Sequence, residues 1–157
     1  MAEGRCACGE VRYRLHDQPF AVHCCHCRDC QRETGSAFVL NGLVETGNVE
    51  VVAGEPETID TPSASGKGQA IVRCPHCRVA LWSHYGGMGG DAAFVRVGTL
   101  EDPDAHPPHV HIFTRSTQPW FDLPAGAPAF EAFYSRADLV ALFGESGAAR
   151  WLALRGG

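Results

Sequence analysis

The chain has 157 residues, and several features are missing from it. No hydrophobic run approaches the ~20 residues needed to cross a bilayer. The opening stretch "MAEGRCACGE" has no apolar core of a secretory signal, so the expected location is the cytoplasm. Basic residues are in the minority, with 13 Lys and Arg against 18 Asp and Glu. That balance lacks the basic stripe that nucleic-acid binding needs. No internal repeat or heptad pattern is present, and "GGMGG" (86–90) has no Walker or Rossmann context, so it is read as a loop. Cysteine is absent from everything beyond Cys77.

What is present is a concentration of all eight cysteines between Cys6 and Cys77, in C-x-C and C-x-x-C pairs. In a reducing compartment that pattern points to metal ligation rather than disulfides. Short β-rich runs recur between Gly- and Pro-marked turns: "EVRYRLH", "FAVHCC", "SAFVLNGLVE", "VEVVAG", "ETIDT", "QAIVRC", "VALWSHY", "AAFVRVGTL" and "HVHIFTR". Their lengths and spacing predict a mainly β, mostly antiparallel sheet fold. "RDCQRET" (28–34) predicts a short helix closed by Gly35. "SRADLVALFGESGAARWLALRGG" predicts two short helical pieces, the first capped by Ser135 and ended by Gly144. The expected division is a zinc domain over 1–134 and a helical extension over 135–157. That extension packs on the sheet or on another copy of the chain.

The cysteines divide by geometry. In extended backbone, residues two apart share a face, so Cys6 and Cys8 reach one ion. Cys74 and Cys77, in "RCPHCR", form a compact turn carrying two thiolates. The four together make a closed structural zinc site. In "HCCHCRDCQRETG" (23–35), Cys25 and Cys27 share a face, and Cys30 follows Cys27 by one helical turn. These three converge. Cys24 points the other way, as a buried core residue. Three thiolates with one position left open are the ligand set of a catalytic zinc, so two zinc ions per chain are expected. A zinc held by three thiolates is a weak generator of hydroxide and a good acceptor of a soft sulfur ligand, which points to chemistry on a thiol. His23 lies on the Cys25 and Cys27 face as an alternative fourth ligand or neighbour, whereas His26 is turned away. His109 and His111 share a strand face, where histidine is ordinarily a half-buried structural residue.

Four blocks in order carry a family resemblance: "GRCACGEVRY", "CHCRDCQRETGSAF" (25–38), "VRCPHCRVALW" (72–82) and "HIFTRSTQPWFDLPAGAPAF" (111–130). The chain resembles the glutathione-dependent formaldehyde-activating enzymes, whose domain is shared with centromere protein V. The resemblance implies an Mss4-like fold, with Cys6, Cys8, Cys74 and Cys77 on a structural zinc and Cys25, Cys27 and Cys30 on the catalytic one. It implies carbon–sulfur lyase-type chemistry, in which formaldehyde and glutathione combine to S-hydroxymethylglutathione. The expected partners are therefore a small thiol such as glutathione and an aldehyde. His111 and Trp120 fall at the family's His and Trp positions. Arg78 stands where the family commonly has glycine, and a positive φ there would make arginine costly. Two other readings of the residues are a zinc-stabilised binding module without catalysis and a thiol-redox protein using Cys27 and Cys30. The second lacks the βαβ context that such a pair needs.

Overall fold

The computed structural model describes residues 1–156. The fold is mainly β: ten strands in two sheets and two α-helices among the described residues. None of those helices is long and apolar enough to cross a membrane. The chain divides into two compact units, each built from two separate stretches of sequence.

The first unit comprises residues 1–19 and 42–106. Strands β1 (Ala2–Arg5), β2 (Arg12–Leu15) and β5 (Val49–Ala53) form an antiparallel sheet in the order β1-β2-β5. In β2 the alternation is direct: Tyr13 and Leu15 are buried, while Arg14 reaches outward to Glu3 and Glu50. The Tyr13 ring meets Trp82 edge-on at 5.5 Å, and its hydroxyl lies 2.7 Å from Thr99 Oγ1. It also passes so close to Gly4 that a Cβ there would sit 2.3 Å from the ring, so only glycine fits. Strands β6 (Glu57–Thr61), β7 (Gln69–Arg73), β8 (Ala80–Tyr85) and β9 (Ala92–Arg96) pair in succession as an antiparallel meander. Ile71, Leu81 and Val95 from these strands are fully or almost fully buried. Strand β4 (Val39–Glu45) contributes residues to both units.

The second unit comprises residues 20–41 and 107–157. Strand β3 (Ala21–Cys25) is buried at every position, so neither of its faces is a solvent face. Strand β10 (Val110–Ile112) pairs with it in parallel, aligning Val110 with His23, His111 with Cys24 and Ile112 with Cys25. This pair departs from the antiparallel expectation, because strands far apart in sequence can be brought together in either direction. Helix α1 (Arg28–Thr34) follows β3 and stops at Gly35, whose left-handed φ of 64° closes the last turn. Ser135 and Asp138 form a capping box ahead of helix α2 (Leu139–Leu154). Gly144, at φ 70° and ψ 170°, divides α2 into the two pieces anticipated from sequence. Phe143 and Trp151 of α2 pack on Phe20 at centroid distances of 5.6 and 5.5 Å.

Candidate metal centres

In the first unit the Sγ atoms of Cys6, Cys8, Cys74 and Cys77 all lie within 4.8 Å of one another. Cys6 and Cys8 are 3.4 Å apart, and Cys8 and Cys74 are 3.6 Å apart. Two turns of similar design present them. In each, a left-handed residue directly follows the second cysteine: Gly9 (φ 78°) after Cys8 and Arg78 (φ 63°) after Cys77. Each turn is closed by a backbone hydrogen bond, Cys6 to Val11 at 3.0 Å and Cys74 to Val79 at 3.1 Å. The Val11 N–H also donates to Cys6 Sγ at 3.3 Å. The backbone of Val79 draws the Cys77 thiol down to about 6. At Cys8 the backbone of Glu10 pulls the same way, but crowding by Cys6 and the other thiols prevails and leaves it at about 12. Sulfurs this close cannot all ionise without a cation.

The second unit gathers Cys25, Cys27 and Cys30, again with every Sγ within 4.8 Å of the others. Cys25 ends β3, Cys27 is the N-cap of α1 and Cys30 lies in the helix's first turn. The Cys30 N–H donates to Cys27 Sγ at 3.4 Å, so the cap and the cluster share one sulfur. Cys25 and Cys30 are buried, while Cys27 is partly exposed. Hydrogen bonds from Cys25 and Cys30 hold the Cys27 thiol far below its ordinary value. The same contacts push Cys25 far above it. One thiolate stabilised by two protonated neighbours is what three crowded thiols do alone. A thiophilic cation removes the conflict, so the donor sets of both sulfur groups fit zinc.

The remaining residues singled out from sequence are placed as follows. Cys24 stays out of this trio, buried beside His26 and His111. His23 does not join it either: its Nε2 lies 2.8 Å from the Tyr134 hydroxyl, and burial lowers its pKa to about 3. His109 Nδ1 accepts the Val22 N–H at 3.0 Å, a structural contact. Trp120 is 68% exposed and donates through Nε1 to Gln118 Oε1 at 2.6 Å. Sequence reasoning passed over Gln31, which organises the surroundings of α1. Its amide donates to the carbonyls of His26 (2.7 Å) and Ser116 (3.0 Å), and its Oε1 accepts from Arg28 (2.7 Å) and Gln118 (3.2 Å). The only sequence signal for it was its position directly after Cys30. Beside it lies a cavity of about 560 Å³ lined in part by Arg28, Arg32, Gln118 and Trp120.

A mainly β chain with one four-sulfur and one three-sulfur cluster is the class of protein that fold and site define. The sequence profile of the glutathione-dependent formaldehyde-activating enzymes matches residues 1–116, and the chain belongs to that family. No curated protein matches the chain. A crystal structure of a Rhodobacter sphaeroides protein is similar over 63% of this chain and 87% of its own, with 19% identity and a TM-score of 0.49.

Proposed function

We propose that the chain is a zinc-dependent carbon–sulfur lyase-type enzyme acting on the adduct of a small thiol and an aldehyde, with glutathione and formaldehyde as first candidates. The observation that carries this reading is the three-sulfur cluster, whose one partly exposed member, Cys27, begins the helix that also carries cavity residues Arg28, Gln31 and Arg32. Cys25, Cys27 and Cys30 would hold the catalytic zinc, and Cys6, Cys8, Cys74 and Cys77 the structural one. When bound, the catalytic zinc supplies a Lewis-acid position that favours the deprotonated form of a thiol.

The chain's own residues do the rest. Burial of Cys25 and Cys30 and the N-cap bond of Cys27 fix three sulfurs in place before substrate arrives. Arg28, held by Gln31, and Arg32 give the cavity a positive wall suited to the carboxylates of an acidic thiol. Trp120, joined to Gln118, offers an aromatic face at its rim. In the synthetic direction the thiol S–H bond and the carbonyl π bond break, a sulfur–carbon bond forms, and the proton given up by the thiol ends on the former carbonyl oxygen. In the reverse direction each change is undone.

The test is exchange spectroscopy by NMR on formaldehyde with glutathione and with other thiols. Because the two combine spontaneously, the expected result is exchange above the uncatalysed rate that Cys25→Ser abolishes. Unchanged exchange and unchanged zinc content in that variant would overturn the reading.

A further inference from the structure

A third cluster of metal-ligating atoms lies outside both sulfur sets. Cys24 Sγ is 3.5 Å from His26 Nε2, which is 3.0 Å from His111 Nδ1. One ligand atom from each of Cys24, His26 and His111 lies within 4.8 Å of the other two. The backbone explains why they meet. Cys24 and His26 are two positions apart and share a face, opposite to that of Cys25 and Cys27. The parallel register of β10 then sets His111 directly beside Cys24.

Hydrogen bonding accounts poorly for this arrangement. His26 Nε2 faces a thiol and an imidazole nitrogen together, yet it has either one hydrogen or one lone pair to offer. The other ring nitrogen of His26, Nδ1, is buried with no partner among the described residues, so the polar contacts of this ring are all made through Nε2, facing Cys24 and His111. Cys24, His26 and His111 are 2%, 0% and 2% exposed, so water does little to satisfy the remaining valences. Phe38 and Phe121 pack on the His26 ring at 5.8 and 5.3 Å. A cation between the three atoms would use all of them at once.

We propose that Cys24, His26 and His111 form a third metal site, distinct from the two all-sulfur sets. One thiolate and two neutral imidazoles form a borderline donor set that selects zinc or another thiophilic first-row cation over magnesium or calcium. The charges also complement each other. A divalent ion with three thiolates is left net negative, whereas one with a single thiolate and two imidazoles is left net positive. Cys24 and Cys25 are adjacent on one strand, so the two sites stabilise each other across it. The proposal does not depend on the reaction assigned above.

The test is metal content and zinc-edge X-ray absorption of the full chain, purified without chelator. About three zinc ions per chain are expected, falling to about two in Cys24→Ala and in His111→Gln. The wild-type spectrum should contain imidazole outer-shell scattering, which the two all-sulfur sites cannot supply, and His111→Gln should weaken it. Circular dichroism checks that each variant folds. If both variants fail to fold, the wild-type spectrum decides alone: a purely sulfur environment with about two zinc ions overturns the site. So does a folded Cys24→Ala variant that keeps all the wild-type zinc.

Discussion

Arg78 occupies a left-handed backbone position, φ 63°, directly after Cys77. Its carbonyl accepts from the Arg73 guanidinium at 2.9 Å, and its own guanidinium pairs with Glu57. The pair is exposed and offsets little of the backbone cost. Glycine carries no such cost, so Arg78→Gly is expected to be more stable than Arg78→Ala by about 1 kcal/mol, measured by urea unfolding. Tyr13 gives a second prediction at this scale. Burial keeps its hydroxyl protonated up to about 12, against about 10 in an unfolded chain. The unfolded state therefore releases its proton first. The stabilisation is complete below pH 10 and falls as pH rises from 10 towards 12, at about 1.4 kcal/mol per pH unit. Urea unfolding across that interval should show the slope, and Tyr13→Phe should remove that share of it.

Among the elements, α2 is held by aromatic packing. Trp151 is 8% exposed and meets Phe20 at 5.5 Å, while Val140 on the same helix is 56% exposed. Trp151→Ala is expected to cost roughly 3 kcal/mol, and Val140→Ala within about 0.5 kcal/mol, in equilibrium unfolding. Gly144 has a backbone conformation that is nearly glycine-only, so Gly144→Ala should cost about 1–3 kcal/mol although its Cβ would meet no atom. The elements differ in how far the sequence disclosed them. Helix α1 occupies the residues that "RDCQRET" and Gly35 predict, because its cap and its stop are local chemistry. Strand β1, "AEGR", went unread because it has no β-branched or aromatic residue and exists through its pairing with β2. The parallel pairing of β10 with β3 went unread as well. Direction is settled by the path of the intervening chain, which no short window contains.

At the scale of the whole molecule, the two sulfur clusters close very different loops. Cys8 and Cys74 are 66 positions apart, whereas Cys25, Cys27 and Cys30 are close neighbours in sequence. With the four-sulfur site treated as a cross-link, its clasp removes roughly 4 kcal/mol of unfolded-chain entropy. Cys74→Ser is therefore expected to lower the melting temperature more than Cys25→Ser, and a strong zinc chelator should reproduce the larger loss. The trio Cys25, Cys27 and Cys30 was legible because it follows from two-residue and one-turn periodicities; the four-sulfur set was grouped by ligand number, and Cys6 and Cys8 meet in a turn rather than in the extended segment expected for them. The meeting of His26 with His111 was not, since it depends on the register of two strands remote in sequence. Gln31 was missed because a hydrogen-bonding hub has no spacing signature.

The discontinuous second unit also sets an order of events during synthesis. His109 and Val22, which bond across the β10 end of the parallel pair, are 87 positions apart. A ribosome therefore releases Cys24, Cys25, Cys27 and Cys30 long before β10 exists to pair alongside Cys24 and Cys25. For that interval the nascent chain carries its densest group of thiols without its final shelter, open to oxidants and to adventitious metals. Early capture of the right ion would protect these sulfurs until the C-terminal third of the chain emerges and closes the unit over them.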